Sequence, residues 1–317
     1  MRILVTGGAG FIGSHLVEAL DRRGDEVVAL DAFDPYYDPA RKRRNAEAVA
    51  RACPRVRHVE GDVRDAALVE RALDGVDRVV HLAARPGVRA SLEDPARTLD
   101  LNVRGTEVLL EAMRRRGVRG LVFASSSSVY GGDSRPPFAE DAPASRPLSP
   151  YAASKRMGEL LCASWSESFG LGCVALRFFT VYGPRGRPDM SIDRFVRAAL
   201  AGTSVPLFGD GSVRRDFTFV DDIVAGVVRA VDLAAPGAGY DVVNIGGGAV
   251  YSMRDLIAAI ERATGRSLAL DRRPPAAGDM PLTEADLTRA RARLGFAPQV
   301  PLEEGLLRTV AWVRADA

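Results

Sequence analysis

The sequence predicts an α/β fold: a doubly wound parallel sheet with a smaller, interleaved C-terminal domain. Three observations predict it. Short apolar strands alternate with helical periodicity through the first half of the 317 residues. A glycine-spaced turn follows the first strand at once, and an acid ends the second. After about residue 177 the alternation weakens and Pro and Gly become frequent. The expected division is therefore 1–176 for the large domain, with a return near 216–246, and mainly 177–317 for the smaller one.

Arg2 to Thr6 reads as an apolar strand, Gly7, Gly10 and Gly13 as the turn, and Phe11 to about Arg23 as the helix that follows. Glycine permits a tight turn and lets backbone approach a ligand closely. The helix opens at Phe11, Ile12 and Gly13, so its unpaired N–H groups and positive dipole end suit a pyrophosphate. The next strand, Glu26 to Leu30, ends in Asp31, which can accept both ribose hydroxyls of an adenosine and would repel a 2′-phosphate. NAD is thus expected rather than NADP; the arginines at 41, 43 and 44 could weaken that preference.

Further strands are expected at 56–60, 78–82 and 120–124, and helices at 65–73, 95–115 and 152–169. Ligands bind outside the carboxyl ends of such strands. Asp62 and Val63 follow the third strand, where an adenine would lie. Leu82, Ala83 and Ala84 follow the fourth and are mostly small enough to let a cofactor pass near the backbone. Asn102, in the next helix, is either a cofactor contact or a solvated amide.

The fifth strand runs into Ser125-Ser126-Ser127-Ser128, a row of hydroxyls where substrate should be. Tyr151 and Lys155 follow, four residues apart and so on one helix face. Lys155 is one of only two lysines, beside Lys42, in a chain otherwise reliant on arginine. A compact point charge does chemistry that a planar guanidinium does not. A tyrosine with an ordinary pKa of about 10 must fall by roughly 3 units, about 4 kcal/mol, to act as a base near neutrality. An ammonium about 4 Å away supplies that order of energy at an effective dielectric near 20.

These motifs identify the chain as resembling the extended short-chain dehydrogenase/reductases that modify nucleotide sugars, over nearly its whole length. The resemblance implies a Rossmann sheet, an NAD cofactor and a UDP-sugar substrate. Tyr151 would be the base, Lys155 its support, Ser126 the hydroxyl on the reacting group and Ser128 a second hydroxyl near the sugar. Three stretches resemble the bacterial UDP-glucuronate 4-epimerase branch: Asp31 to Pro39, His81 to Arg89, and Arg177 to Met190, in which Thr180-Val181 stands where other branches usually have asparagine near Thr180. The match implies substrate contacts at Arg89, Thr180, Arg185 and Arg187. Arg187 would hold the uronate carboxylate, with Arg185 as the fallback; either could instead pair with Asp189. Phe208 would line the uracil, Arg215 would bind the diphosphate, and Asp279 would approach the uridine ribose. Asp221 and Asp222 are expected mainly to cap a helix. Ala276 departs from the family, which usually has arginine there; Arg272 or Arg273 could replace it.

Composition excludes other classes. Net charge is +2 and hydrophobic content 47%, so neither nucleic acid nor a membrane is an expected partner. No apolar run approaches the roughly 20 residues of a membrane span. Three cysteines without C-x-x-C spacing argue against a disulfide framework or a metal site and fit the cytoplasm. His15, His58 and His81 are read as structural. Ser127 and Ser128 replace the acidic pair of the family's dehydratases, so loss of water is not expected. Decarboxylation to a UDP-pentose, another nucleotide-sugar epimerisation, or a non-enzymatic NAD sensor are the alternatives. A homodimer through the helices at 95–115 and 152–169 is expected.

Overall fold

Seven strands build the main sheet of the computed structural model, which describes residues 1–275 and 280–316. In chain order the first half reads β1 (Arg2–Thr6), α1 (Phe11–Arg23), β2 (Glu26–Asp31), α2 (Pro39–Ala52), β3 (Arg57–Glu60), α3 (Ala66–Ala72), β4 (Arg78–His81), α4 (Val88–Glu93), α5 (Pro95–Leu99), α6 (Gly105–Arg116), β5 (Gly120–Ser126), α7 (Pro150–Phe169) and β6 (Gly172–Phe178). After them come β7 (Thr180–Tyr182), α8 (Ser191–Ala201), β8 (Val205–Phe208), β9 (Arg214–Phe219), α9 (Val220–Leu233) and β10 (Tyr240–Ile245). The chain ends with β11 (Val250–Ser252), α10 (Met253–Thr264), β12 (Leu270–Arg273), β13 (Leu282–Thr283), α11 (Thr288–Leu294) and α12 (Leu302–Ala315).

The sheet order is β10-β6-β5-β4-β1-β2-β3. Strand β1 pairs in parallel with β2 on one side and β4 on the other, so the order reverses there. That reversal opens a crevice at the carboxyl ends of β1 and β4, where ligands of such sheets bind. Strands covered on both faces read as continuous apolar runs. Ile3, Leu4 and Val5 of β1 and Leu121, Val122 and Phe123 of β5 are accordingly buried, each contributing roughly 1.5–3 kcal/mol.

The chain divides into two units: Met1–Ser134 with Glu140–Phe178 and Val224–Val243, and Arg135–Ala139 with Phe179–Ile223 and Asn244–Ala317. The return to the first unit therefore begins after β9, later than the 216 expected. The reason is that β9 pairs with β7, β11 and β13 in the second unit's own four-stranded sheet. Buried Asp216 ties that sheet together by accepting from Gly247 N and Ala285 N.

One expectation is refined and one corrected. The helix expected at 95–115 runs on from Pro95 to Arg116, with a π-helical turn at Asp100–Arg104 between α5 and α6. Asp221 and Asp222 do not cap from outside, because α9 already begins at Val220. Instead Asp222 accepts from Gln299 N (2.9 Å) and Val300 N (3.1 Å), and Asp221 pairs with Arg308. Among the described residues no helix is long and apolar enough to cross a membrane.

Gly13 shows why the turn needs its spacing. A Cβ there would press on the Gly7 carbonyl oxygen and lie 2.9 Å from its carbon and 3.0 Å from Gly8 Cα, all rigid backbone. Gly13→Ala is expected to cost about 3 kcal/mol by overpacking. A urea titration should show a lower midpoint with unchanged slope; an unmoved midpoint would mean that the turn yields freely.

Candidate active site

In the first unit, Gly7 takes φ +73°, and a Cβ there would lie 2.9 Å from Ala83 N and 3.1 Å from Leu82 C, so the loop after β4 does lie beside the glycine turn. Gly10, the residue before α1, offers no side-chain cap, and a Cβ there would meet only the Gly7 oxygen, at 3.1 Å. The first-turn amides at Phe11, Ile12 and Gly13 have no intrahelical acceptor. The result is an open cradle of N–H groups, which fits a dinucleotide's pyrophosphate. Asp31 accepts from Ala9 N (3.0 Å) and Phe33 N (2.8 Å), which orients its carboxylate beside the turn. Burial raises its pKa, and the Lys42 charge opposes that. Arg43 pairs with Glu60.

Asp62 is held by Arg64, which lowers its pKa through side-chain hydrogen bonds. Val63 is buried against Gly105, and Leu82, Ala83 and Ala84 are half-buried. Asn102 is not a solvated amide. It is 3% exposed and sits in the π-helical turn, a geometry frequent at functional sites. Its Oδ1 accepts from Arg85 N (2.7 Å) while Nδ2 donates to Arg85 O (3.1 Å) and Ser154 Oγ (2.9 Å). It thus ties the loop after β4 to α7.

His81 also belongs to a buried chain. Thr106 gives its only hydroxyl proton to Asn102 O (2.6 Å), so His81 must donate to Thr106 through Nε2 (3.1 Å). Its Nδ1 then accepts from Thr6 Oγ1 (2.7 Å), which accepts from Ala83 N (3.2 Å). Burial and the Lys155 charge push the His81 pKa down to about 3, so the ring is neutral.

The reacting groups stand on β5 and α7. Strand β5 runs on to Ser126, two residues further than expected, and a 3-10 turn follows at Ser127–Tyr130. Ser126 Oγ accepts from Ser128 N and donates to Ser128 Oγ, both at 3.2 Å. Helix α7 is capped by Ser149 and starts at Pro150, which puts Tyr151 in its first turn and Lys155 one turn on. Gly158 has no Cβ because Phe123 occupies that space; the small residue lets α7 lie close on β5. Lys155 is 5% exposed and donates to Ala124 O at 2.8 Å. Burial drives its pKa down to about 8, offset by Cys162 and Glu159. Glu159 went unnoticed in the sequence, where its only signal was the i+4 spacing from Lys155, and Arg177 was named there only as the start of a resembling stretch. Arg89 is exposed on α4.

In the second unit, Thr180 opens β7 opposite Phe217 of β9. Arg185 takes φ +61°, a conformation uncommon for a side-chain-bearing residue and often found at functional sites. Arg187 grips Asp189 through two parallel hydrogen bonds of 3.0 Å, the pairing foreseen as its plainer role. Phe208, Ser212, Val213, Arg272 and Pro281 line a cavity of about 600 Å³. Arg273 lines the same cavity and pairs with Asp271. Arg215 donates to Met280 O (2.7 Å) and Arg214 O (2.9 Å). Asp279, with Ala276, lies outside the described residues.

Similarity to known proteins agrees with this geometry. The chain is 39% identical over 316 residues to the UDP-glucuronate 4-epimerase of Thermodesulfobacterium geofontis, covering 99% of this chain and 96% of that one. Its fold superposes with TM-score 0.94 and 36% identity on UDP-glucuronic acid 4-epimerase from Bacillus cereus, solved with UDP-glucuronic acid and NAD, over 100% of both chains. A dTDP-glucose 4,6-dehydratase from Streptomyces venezuelae, DesIV, solved with NAD, follows at TM-score 0.92 and 35% identity, over 100% of this chain and 98% of that one. Residues 3–246 match the model of the NAD dependent epimerase/dehydratase family. The chain belongs to that family.

Proposed function

We propose that this protein inverts carbon 4 of UDP-glucuronate, forming UDP-galacturonate through a transient 4-keto sugar. The observation that carries the reading is the placement of Tyr151 and Lys155 on one face of α7, with Lys155 bonded to β5 just before the hydroxyls of Ser126 and Ser128. Names of relatives alone do not choose the reaction, since an epimerase and a dehydratase superpose almost equally well. Chemistry does: Ser127 and Ser128 supply no carboxylate to drive loss of water.

When bound, NAD supplies reversible acceptance of the hydrogen and electron pair of carbon 4. The chain's own residues do the rest. Ser126 holds the 4-hydroxyl, Tyr151 removes its proton, and the Lys155 ammonium stabilises the phenolate that does so. The 4-keto uronate is a β-keto acid and loses carbon dioxide if its carboxylate turns into alignment with the ketone. Arg187 prevents this by fixing the carboxylate through two parallel hydrogen bonds. Its bidentate pair with Asp189 already has that geometry, so substrate exchanges one carboxylate for another. Thr180, Phe208 and Arg215 complete the sugar, base and diphosphate contacts. A homodimer in a reducing cytosol is part of the same reading. Exposed Met157 and Leu160 on α7 and three buried, unbridged cysteines support it.

Incubation with UDP-glucuronate and NAD, followed by NMR of the products, tests the reaction. UDP-galacturonate supports it; UDP-xylose or a 4-keto pentose favours decarboxylation, and tight NAD binding without turnover favours a sensor. Arg187→Ala should raise KM for the uronate at least about 20-fold, losing roughly 2 kcal/mol of charge-assisted binding, and raise carbon dioxide release. Unchanged KM and product ratio would move the clamp elsewhere.

A further inference from the structure

Behind the reacting groups lies a buried ion pair that the reaction as described does not use. Glu159 is 0% exposed and stands one turn beyond Lys155 on α7. Its Oε1 accepts from Ser125 Oγ (2.6 Å) on β5 and Arg177 Nε (2.8 Å) on β6. Its Oε2 accepts from Arg177 Nη2 (2.9 Å) and Arg156 Nη1 (2.8 Å). Arg177 is 2% exposed, stacks over Tyr130 and donates to Glu140 O. One carboxylate thus joins the helix that carries Tyr151 and Lys155 to two strands, one of which ends in Ser126.

We propose that Glu159 is a positioning residue for the reaction, fixing through Ser125 and Arg177 where the Tyr151–Lys155 face of α7 stands against the end of β5. The proposal rests on the epimerase reading for the roles of Tyr151 and Lys155, but the anchor itself is independent of substrate. A purely stabilising pair would be odd here, because apolar residues of similar volume often do as well as a buried ion pair. Glu159 also acts on charge. Burial works against the Lys155 ammonium, and the Glu159 carboxylate offsets part of that. Burial alone would raise the pKa of Glu159, but hydrogen bonds and charge from Arg177 outweigh it and hold the carboxylate ionised. Among the other titratable groups of the packed elements, His81 on β4 is neutral, Cys162 lies on α7, burial raises the Cys173 thiol on β6, and burial raises Tyr240 on β10.

The two-lysine composition makes a direct test practical. Protein labelled with ¹³Cε-lysine should show two lysine resonances, assigned with a separate Lys42→Arg sample. Titration of the full chain should give a Lys155 midpoint near 8, falling by about one pH unit in Glu159→Gln, a tenfold change in proton affinity. In the epimerase assay the same variant should lose about tenfold in kcat with KM little changed, and its alkaline limb should move to lower pH. Should Glu159→Gln fold poorly, Glu159→Met combined with Arg177→Met restores an uncharged, filled interior. That pair should fold yet keep the lowered Lys155 midpoint and the lowered kcat. A Lys155 midpoint unmoved in the folded variants, or full activity in the double variant, overturns the proposal. Absence of epimerisation by the unaltered protein would sink the reaction assignment while leaving the NMR titration to decide the anchor.

Discussion

Tyr151→Phe is expected to lower kcat about 10³-fold while NAD affinity and folding stay nearly unchanged. The magnitude follows from what one positioned base contributes, typically 10²–10⁴. The selectivity follows from structure. Tyr151 is half-buried in the first turn of α7, and that turn is secured by the Ser149 cap and Pro150, so the helix does not need the phenol oxygen. Phenylalanine keeps the ring and loses only the oxygen. Single-turnover kinetics, a thermal melt and NAD titration separate the three quantities. If the variant retains more than about a tenth of the activity, some other group takes the proton, because no residual binding effect would leave so much.

Lys155→Met sets activity against stability and carries the second large effect. The ammonium is buried, and burial lowers its pKa from 10.5 to about 8. Between those values the unfolded chain holds a proton that the folded chain has lost, so stability rises with pH across that window. Below pH 8 the folded state carries the full penalty, about 3 kcal/mol for 2.5 units. Methionine removes the penalty but leaves Ala124 O without its donor, at a cost of about 1–3 kcal/mol. At pH 7 the two nearly cancel, with a small net gain expected for the variant. At pH 10.5 the penalty is gone from the wild type, so the variant should be the less stable by about 2 kcal/mol. Urea midpoints at both pH values test this: the stability difference must change by about 3 kcal/mol in the stated direction. Turnover should fall about 10³-fold at pH 7, since the phenolate loses the neighbouring charge that sustains it. A stability difference independent of pH would show that folding leaves the Lys155 pKa unshifted and that burial carries no penalty there.

Much of the fold was legible because it rests on local pattern. The strands β1, β2, β4 and β5 are largely buried apolar runs, and the turn at Gly7, Gly10 and Gly13 is written in residue type. The helix α2 was not assigned: its mean hydropathy is low, and its apolar residues are few enough that Lys42, Asn45 and Val49 make its buried face. The π-helical turn escaped too, since no residue type specifies one. Around the reacting groups, Tyr151 and Lys155 were legible from helical spacing together with the scarcity of lysine, the glycine turn and the serine row. Asn102 was not, because an amide in a helix is ambiguous until Arg85 and Ser154 close around it.

By itself the sequence determined the glycine turn, the acid that ends β2 and the tyrosine–lysine face, because each depends on neighbours within a few residues along the chain. Tertiary structure alone decided what pins that face in place. Glu159 reads as one more surface acid until strands 34 and 18 residues away, at Ser125 and Arg177, surround it. Likewise the His81 pKa falls through burial and the Lys155 charge, and its ring is held by Thr6 and Thr106 at separations of 75 and 25 residues. Desolvation and distant partners set the charge of such groups, and neither is a property of a residue and its neighbours in sequence.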